Sequence, residues 1–240
     1  MNIQNKIAIV TGASSGLGRA FSKSLVEKGA LVYGLARTEK ALQEIKQALG
    51  EKFIPVVLDI SEEKKLEEWV NDTFFNKDVP QILINNAGVG SFNKIEETSF
   101  KEWSGMINSN LNGMFLITAH IVKLMKTTTE VKHIVNIGSV LGKVGRPESA
   151  AYCTTKFGVQ GFSAALLKEL RVDDIKVTCL NPGSIATDFF KTSGIESHQN
   201  MLHPEDLANT LVHILETPDN MLIDEITVRP LNPKKPKKPN

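Results

Sequence analysis

Short runs of apolar, β-prone residues alternate with segments of helical periodicity along almost the whole 240-residue chain. No other feature restricts the fold as strongly. A strand that is apolar at successive positions has no face to give to water, and parallel strands covered by helices on both sides satisfy that need. The first such run is Ile7-Ala8-Ile9-Val10, and further strands are expected at 31–35, 53–58, 81–85, 133–137, 176–180 and 221–228. Pro55, inside the third, suits an interior strand poorly. Between the strands, Leu17, Ala20, Phe21, Ser24 and Leu25 recur at helical spacing up to Gly29, a candidate C-cap. Helices are also expected over 38–49, closed by Gly50, and from Ser61, read as an N-cap followed by the acidic Glu62 and Glu63. Three more are expected over 103–126, 151–170 and 204–216, the last with Pro204 in its first turn. The expected architecture is α/β: a doubly wound parallel sheet of about seven strands, in one domain over residues 1–230.

Between the first strand and the first helix stands Thr11-Gly12-Ala13-Ser14-Ser15-Gly16-Leu17-Gly18. Glycine permits the tight turn needed there and lets a phosphate approach the main chain. The helix start offers free N–H groups and a partial positive charge to a pyrophosphate, and Gly18 allows close helix–strand packing. With this TGxxxGxG spacing the chain resembles the short-chain dehydrogenase/reductase family, from about Lys6 to Pro230. The resemblance implies a Rossmann-type fold and a nicotinamide dinucleotide held at Gly12, Ser14, Ser15, Gly16, Leu17 and Gly18.

The end of the second strand bears on which dinucleotide. An acid there would hold the adenosine ribose hydroxyls, but the sequence is Leu35-Ala36-Arg37-Thr38. Ala36 stands where NAD-type members of the family carry Asp, and the Arg37 guanidinium can pair with a 2′-phosphate. NADP(H) is therefore expected over NAD(H), with Arg37 and Thr38 at the phosphate. Many NADP members carry a second basic residue at the position of Ser15. The resemblance also implies that Asp59, with Ile60, meets the adenine, and that Asn86, Ala87 and Gly88 of an NNAG motif lie along the cofactor. Pro182, Gly183, Ile185 and Thr187 are implied as contacts to the nicotinamide and the nearby phosphate.

Tyr152 and Lys156 form a Tyr-x-x-x-Lys pair, and on a helix both lie on one face. Ser139 stands at a strand end upstream, and Asn110 before it completes the Asn-Ser-Tyr-Lys set of the family. A carbonyl oxygen that gains charge as hydride arrives must be protonated. Tyr152 is the expected proton donor in reduction and base in oxidation. Its phenol is expected to be lowered by the Lys156 ammonium and the positive nicotinamide. Ser139 is expected to orient the carbonyl, Lys156 to hold the ribose hydroxyls, and Asn110 to hold a water that links Lys156 to solvent. A lid over the substrate is expected at 188–203, with Phe189 and Phe190 against the substrate.

Composition narrows the partners. Lys plus Arg number 28 against 27 acidic residues, so no net field favours nucleic acid or anionic lipid. No apolar run is long enough for a membrane span, and the start has no signal-peptide pattern. Cys153 and Cys179 suggest no disulfide framework, and the five histidines show no metal-ligand spacing. A cytoplasmic enzyme acting on a small carbonyl or alcohol compound, without a metal, is the expectation. Family resemblance adds a homodimer or homotetramer. Residues 231–240, mostly Pro and Lys, are expected to be disordered. Two alternatives stand: a redox sensor on the same fold, and an epimerase or dehydratase with retained cofactor.

Overall fold

The computed structural model describes residues 1–74, 78–187, 189 and 200–232. Its strands are β1 Ile7–Thr11, β2 Leu31–Ala36, β3 Phe53–Val57, β4 Ile82–Asn85, β5 Lys132–Ile137, β6 Ile175–Pro182 and β7 Glu225–Val228. They form one parallel sheet in the order β3-β2-β1-β4-β5-β6-β7, the doubly wound arrangement expected. Helices α1 Gly16–Glu27, α2 Glu39–Leu49, α3 Glu63–Phe74, α4 Phe100–Ile107, α5 Gly113–Met125, α6 Ala150–Leu170 and α7 Pro204–Leu215 connect and cover it.

The unbroken apolar runs follow from two-sided burial. Side chains alternate along a strand, so Ala8 and Val10 of β1 enter one core while Ile9 enters the other. Ile82 and Ile84 of β4 part from Leu83 in the same way. Phe21 and Leu25 of α1, Leu42 and Ile45 of α2, and Leu207 and Leu211 of α7 close the first core. Leu66 and Val70 of α3 and Ile117 and Ile121 of α5 close the second. Complete burial of such a side chain stabilises by roughly 1.5–3 kcal/mol. Pro55 is accommodated because β3 is an edge strand, paired only through β2 and opposite Gly34.

Three elements depart from the sequence expectation. The helix expected over 103–126 is two helices, α4 and α5, joined by a π turn at Asn108–Asn112. Asn108, Asn110 and Asn112 crowd polar groups into that turn, and Asn112 donates to the Asn108 side chain at 2.8 Å. The helix also starts earlier. Ser99 caps α4, accepting from the Glu102 N–H while the Glu102 carboxylate accepts from the Ser99 N–H. Ser61 is not an N-cap: its N–H and hydroxyl both donate to Asp59 Oδ1, at 3.0 and 2.7 Å, and α3 begins at Glu63. The last strand starts at Glu225 rather than 221. The carbonyls before it are taken by side chains of β6, Lys176 bonding Met221 O and Thr178 bonding Ile223 O.

The order places β2 on one side of β1 and β4 on the other. The connections diverge there and leave a crevice at the carboxyl ends of the strands, where ligands bind in open α/β sheets. Gly12, Arg37, Asp59, Asn86, Ser139 and Gly183, each downstream of a strand, lie on this edge.

Candidate active site

The glycine turn is built by interlocking backbone contacts. Gly12 and Gly16 have φ of 66° and 50°, left-handed values that favour glycine. The Thr11 hydroxyl accepts from the N–H groups of Asn86 and Ala87, both at 3.0 Å, and Asn86 Nδ2 donates to Thr11 O and Gly12 O. A Cβ on Gly18 would stand 2.1 Å from Gly12 O, so the α1 start is pressed against the turn. No acidic residue lies in the first turn of α1, and Ser15 makes no side-chain cap. Its N–H groups and positive end therefore face the crevice unopposed.

From this turn a cleft of about 610 Å³ runs along the strand ends. Gly12, Ser14, Ser15, Gly16 and Leu17 line its centre. Arg37, Thr38, Asp59 and Ile60 line one end, and Asn86, Ala87 and Gly88 the wall over β4. Gly183, Ile185, Thr187 and Lys156 also line it. Thr187 lies against the turn, its γ-methyl 3.4 Å from where a Gly16 Cβ would be. Gly18 and Pro182 stand behind the walls, Gly18 against Gly12 and Pro182 as the buried last residue of β6. Leu35, Val89, Gly90 and Ser109 line the cleft as well and were not singled out in the sequence. Val89 and Gly90 directly follow the Asn-Asn-Ala-Gly segment, the one signal that could have found them.

At the far strand end, Arg37 is largely exposed, with Nη1 3.8 Å from Asp59 Oδ2. Partial burial pushes the Asp59 carboxyl up. The two hydrogen bonds from Ser61, aided by Arg37 and Lys65, outweigh that and hold it below the ordinary carboxylate value.

The four residues expected to do the chemistry converge. Lys156 is buried on α6, and its Nζ donates to Ile137 O at 2.8 Å and lies 5.7 Å from the Tyr152 ring centroid. Ser139, following β5, caps a short 3-10 turn by accepting from Leu141 N–H at 3.1 Å, and its hydroxyl also hydrogen-bonds with Tyr152. Asn110, in the π turn, accepts from Val89 N–H at 2.8 Å. Its Nδ2 donates to Val89 O at 2.8 Å and to the Thr155 hydroxyl at 3.0 Å. It thus ties the cleft wall to α6 one residue before Lys156. A π turn is a common device for placing a functional side chain.

Burial acts on the pair against the influences expected from the sequence, those of the Lys156 ammonium and a positive nicotinamide. Burial pushes the Tyr152 phenol well up rather than down, and the hydrogen bond with Ser139 opposes this only in part. Burial likewise pushes the Lys156 ammonium down, to about 8. Each group is buried more deeply than its helix position alone could indicate, so desolvation is the largest influence on both.

An apolar chamber surrounds the phenol. Phe92 and Phe189 lie with ring centroids 5.2 and 5.7 Å from that of Tyr152, and Met106, Trp103 and Leu141 pack with them. A Cβ on Gly90 would stand 2.6 Å from Phe189 and 3.0 Å from Tyr152, so only glycine lets that loop close on both rings. Phe190, residue 188 and residues 191–199 of the expected lid lie outside the described residues, as do 233–240 of the expected tail. Among the described residues no helix is long and apolar enough to cross a membrane, and no His, Cys, Asp and Glu cluster could hold a metal ion. Cys153 and Cys179 are buried and unpaired with each other.

The family model described as short chain dehydrogenase matches residues 6–197. The chain is 38% identical over 192 residues to the 3-oxoacyl-(acyl-carrier-protein) reductase FabG of Haemophilus influenzae, covering 78% of this chain and 76% of that protein. It is 33% identical over 233 residues to an uncharacterized oxidoreductase of Staphylococcus aureus, covering 95% and 99%. Among solved structures, a serine dehydrogenase complexed with NADP+ superposes with a TM-score of 0.85 at 27% identity, covering 92% of this chain and 94% of that one. A 3-ketoacyl-(acyl-carrier-protein) reductase from Brucella melitensis complexed with NADH does so with 0.87 at 26% identity, covering 95% and 98%.

Proposed function

The chain belongs to the short-chain dehydrogenase/reductase family, and from that premise we propose that it transfers a hydride between NADP(H) and the carbonyl or secondary alcohol carbon of a small molecule. The observation that carries this reading is the meeting of Ser139, Tyr152 and Lys156 beside a cleft floored by the glycine turn.

The cleft suits a nicotinamide dinucleotide. The unopposed start of α1 would take the pyrophosphate. Gly12, Gly88 and Ala87 keep the walls low enough for a planar group, and Arg37 at the adenosine end favours a 2′-phosphate where β2 ends without an acid. The 3.8 Å pairing with Asp59 is weak and solvent-screened, so the guanidinium can leave it at little cost. Solved relatives hold NADP+ in one case and NADH in another, which supports a nicotinamide cofactor; the choice of NADP(H) is our reading of Ala36 and Arg37.

When bound, the reduced nicotinamide supplies the hydride and is left oxidised. The remaining steps fall to side chains of this chain. Ser139 would donate its hydroxyl to the substrate oxygen and orient the carbonyl. As the C=O π bond breaks, the Tyr152 O–H bond would break and its proton pass to that oxygen. The phenol keeps its proton at neutral pH, as a donor for reduction must, and the positive charge of Lys156 would help offset the burial that makes it a weaker acid. In oxidation the proton moves the other way, and positive charge at the nicotinamide would offset the burial. Lys156 would hold the ribose hydroxyls and return a proton to Tyr152. Asn110 fixes the wall and α6. Both its donor hydrogens are taken, so a water linking Lys156 to solvent would have to donate to one of its remaining acceptor sites.

The test is a panel of ketones and aldehydes followed at the NADPH absorbance. Stoichiometric consumption of NADPH with formation of the alcohol is the expected result. NADPH that binds but is not consumed with any member would favour a sensor, or a chemistry with retained cofactor.

A further inference from the structure

The chamber around Tyr152 is walled by rings and aliphatic side chains, and besides Lys156 a second cation stands at its aromatic wall. The Arg146 guanidinium carbon lies over the Phe92 ring, 6.0 Å from the centroid, within cation–π reach. That ring is the one 5.2 Å from Tyr152 and 6.3 Å, edge to face, from Phe189. A single aromatic ring therefore separates the guanidinium from the phenol. Arg146 belongs to the segment between the Ser139 turn and α6, which delivers Ser139 at one end and Tyr152 just beyond the other.

Among the described residues, other charges beside Arg146 are already committed, while Arg146 itself and Glu148 of the same segment form no ion pair. Lys143 in the same segment pairs with Glu225. The Glu102 carboxylate is held by Ser99 and by Asn93, the neighbour of Phe92. Arg146 is exposed and has no carboxylate partner among the described residues. A guanidinium is always charged and weakly hydrated, and its planar fork matches a carboxylate in two parallel hydrogen bonds. One such fork suits a planar monoanion; a phosphate dianion would call for further donors.

We propose that Arg146 is a specificity-determining residue, and that the substrate is a small oxo acid, or the corresponding hydroxy acid, whose carboxylate pairs with Arg146 while its carbonyl oxygen lies between Ser139 and Tyr152. The aliphatic or aromatic stem between the two groups then rests on Phe92 and Phe189. The carboxylate itself does not react. This deepens the oxidoreductase reading above and rests on it.

The test compares acetoacetate and levulinate with their ethyl esters, each followed by NADPH consumption, in the wild-type enzyme, Arg146→Gln and Arg146→Lys. We expect the wild type to favour at least one acid over its ester by tenfold or more in kcat/KM. Arg146→Gln should cut that acid-to-ester ratio at least tenfold, mainly through KM, and Arg146→Lys should keep part of it. A general disturbance of the Phe92 wall would lower acid and ester alike and leave the ratio unchanged, and that result overturns the proposal. So does a wild type with no preference for either acid. A second arm titrates the acids by calorimetry into Tyr152→Phe enzyme saturated with NADP+, with and without Arg146→Gln. Acid binding that depends on Arg146, without NADPH consumption by any carbonyl compound, would uphold the anion subsite and overturn the oxidoreductase reading. Consumption with neutral ketones but no Arg146-dependent acid binding would do the reverse.

Discussion

Arg37 leaves the end of β2 with its guanidinium 3.8 Å from Asp59 and most of its surface in water. The neighbouring Ala36 offers nothing to ribose hydroxyls. A charge-assisted pair with a 2′-phosphate contributes on the order of 1.5–3 kcal/mol. We therefore expect Arg37→Asp to lower kcat/KM for NADPH at least tenfold and to move the NADPH-to-NADH ratio towards NADH. Steady-state kinetics with both cofactors checks this, and an unchanged ratio would remove Arg37 from the role. Residue identity was readable along the chain here, because the end of a strand is fixed by the run that precedes it. Ionisation was not. Tyr152 and Lys156 are four apart on one helix face, which says that they meet. The rise of the phenol and the fall of the ammonium depend on how much protein surrounds them. Phe92, Phe189 and the α4 pair Trp103 and Met106 come from three separate places in the chain to supply that surrounding for the phenol.

At the scale of elements, continuous apolar runs revealed the strands and their two-sided burial. The π turn stayed hidden, since Trp103, Ile107, Leu111 and Met114 keep helical spacing across it. The break is forced by partners distant in sequence: Val89 and Thr155 bond Asn110, and a Cβ on Gly113 would stand 2.7 Å from Ile60. The β5–β6 pairing carries a second feature that periodicity could not show. His133 is fully buried, and its Nε2 lies 2.8 Å from the Thr178 hydroxyl. That hydroxyl gives its proton to Ile223 O, so Nε2 is the donor and Nδ1 is left bare, with no hydrogen-bond partner. Burial, with Lys176 and the Met1 ammonium adding to it, pushes the imidazole down to about 3. The folded pKa lies below the unfolded one, so the unfolded chain takes up the proton first as pH falls. The contribution is complete above about pH 6.5 and is lost towards about pH 3. We expect stability to fall by about 2 kcal/mol between pH 7 and pH 5, measured by urea unfolding, and His133→Leu to flatten the curve in that window. A wild-type curve already flat there would show that His133 is not buried as a neutral ring.

For the molecule as a whole, the sheet order decides where the site lies. Divergence of the connections on either side of β1 opens the crevice, and β5 and β6 bring Ser139 and Gly183 to the same edge. Opposite features mark the outer surface. Phe115 on α5 and Phe157 on α6 are 56% and 47% exposed. Exposed aromatic side chains of this kind mark interaction surfaces. We expect light scattering to give a dimer or tetramer for the wild type and the mass of one chain for Phe115→Glu with Phe157→Glu; a monomeric wild type would contradict the assembly. The central claim is that crevice and phenol act as one unit, the cleft holding the dinucleotide while Tyr152 moves the proton. Its most direct test is Tyr152→Phe, with turnover and NADPH affinity measured on the same preparation. We expect kcat to fall about a hundred- to ten-thousandfold while NADPH binds with nearly unchanged affinity, because a phenyl ring keeps the packing against Phe92 and Phe189. Turnover close to that of the wild type would contradict the account.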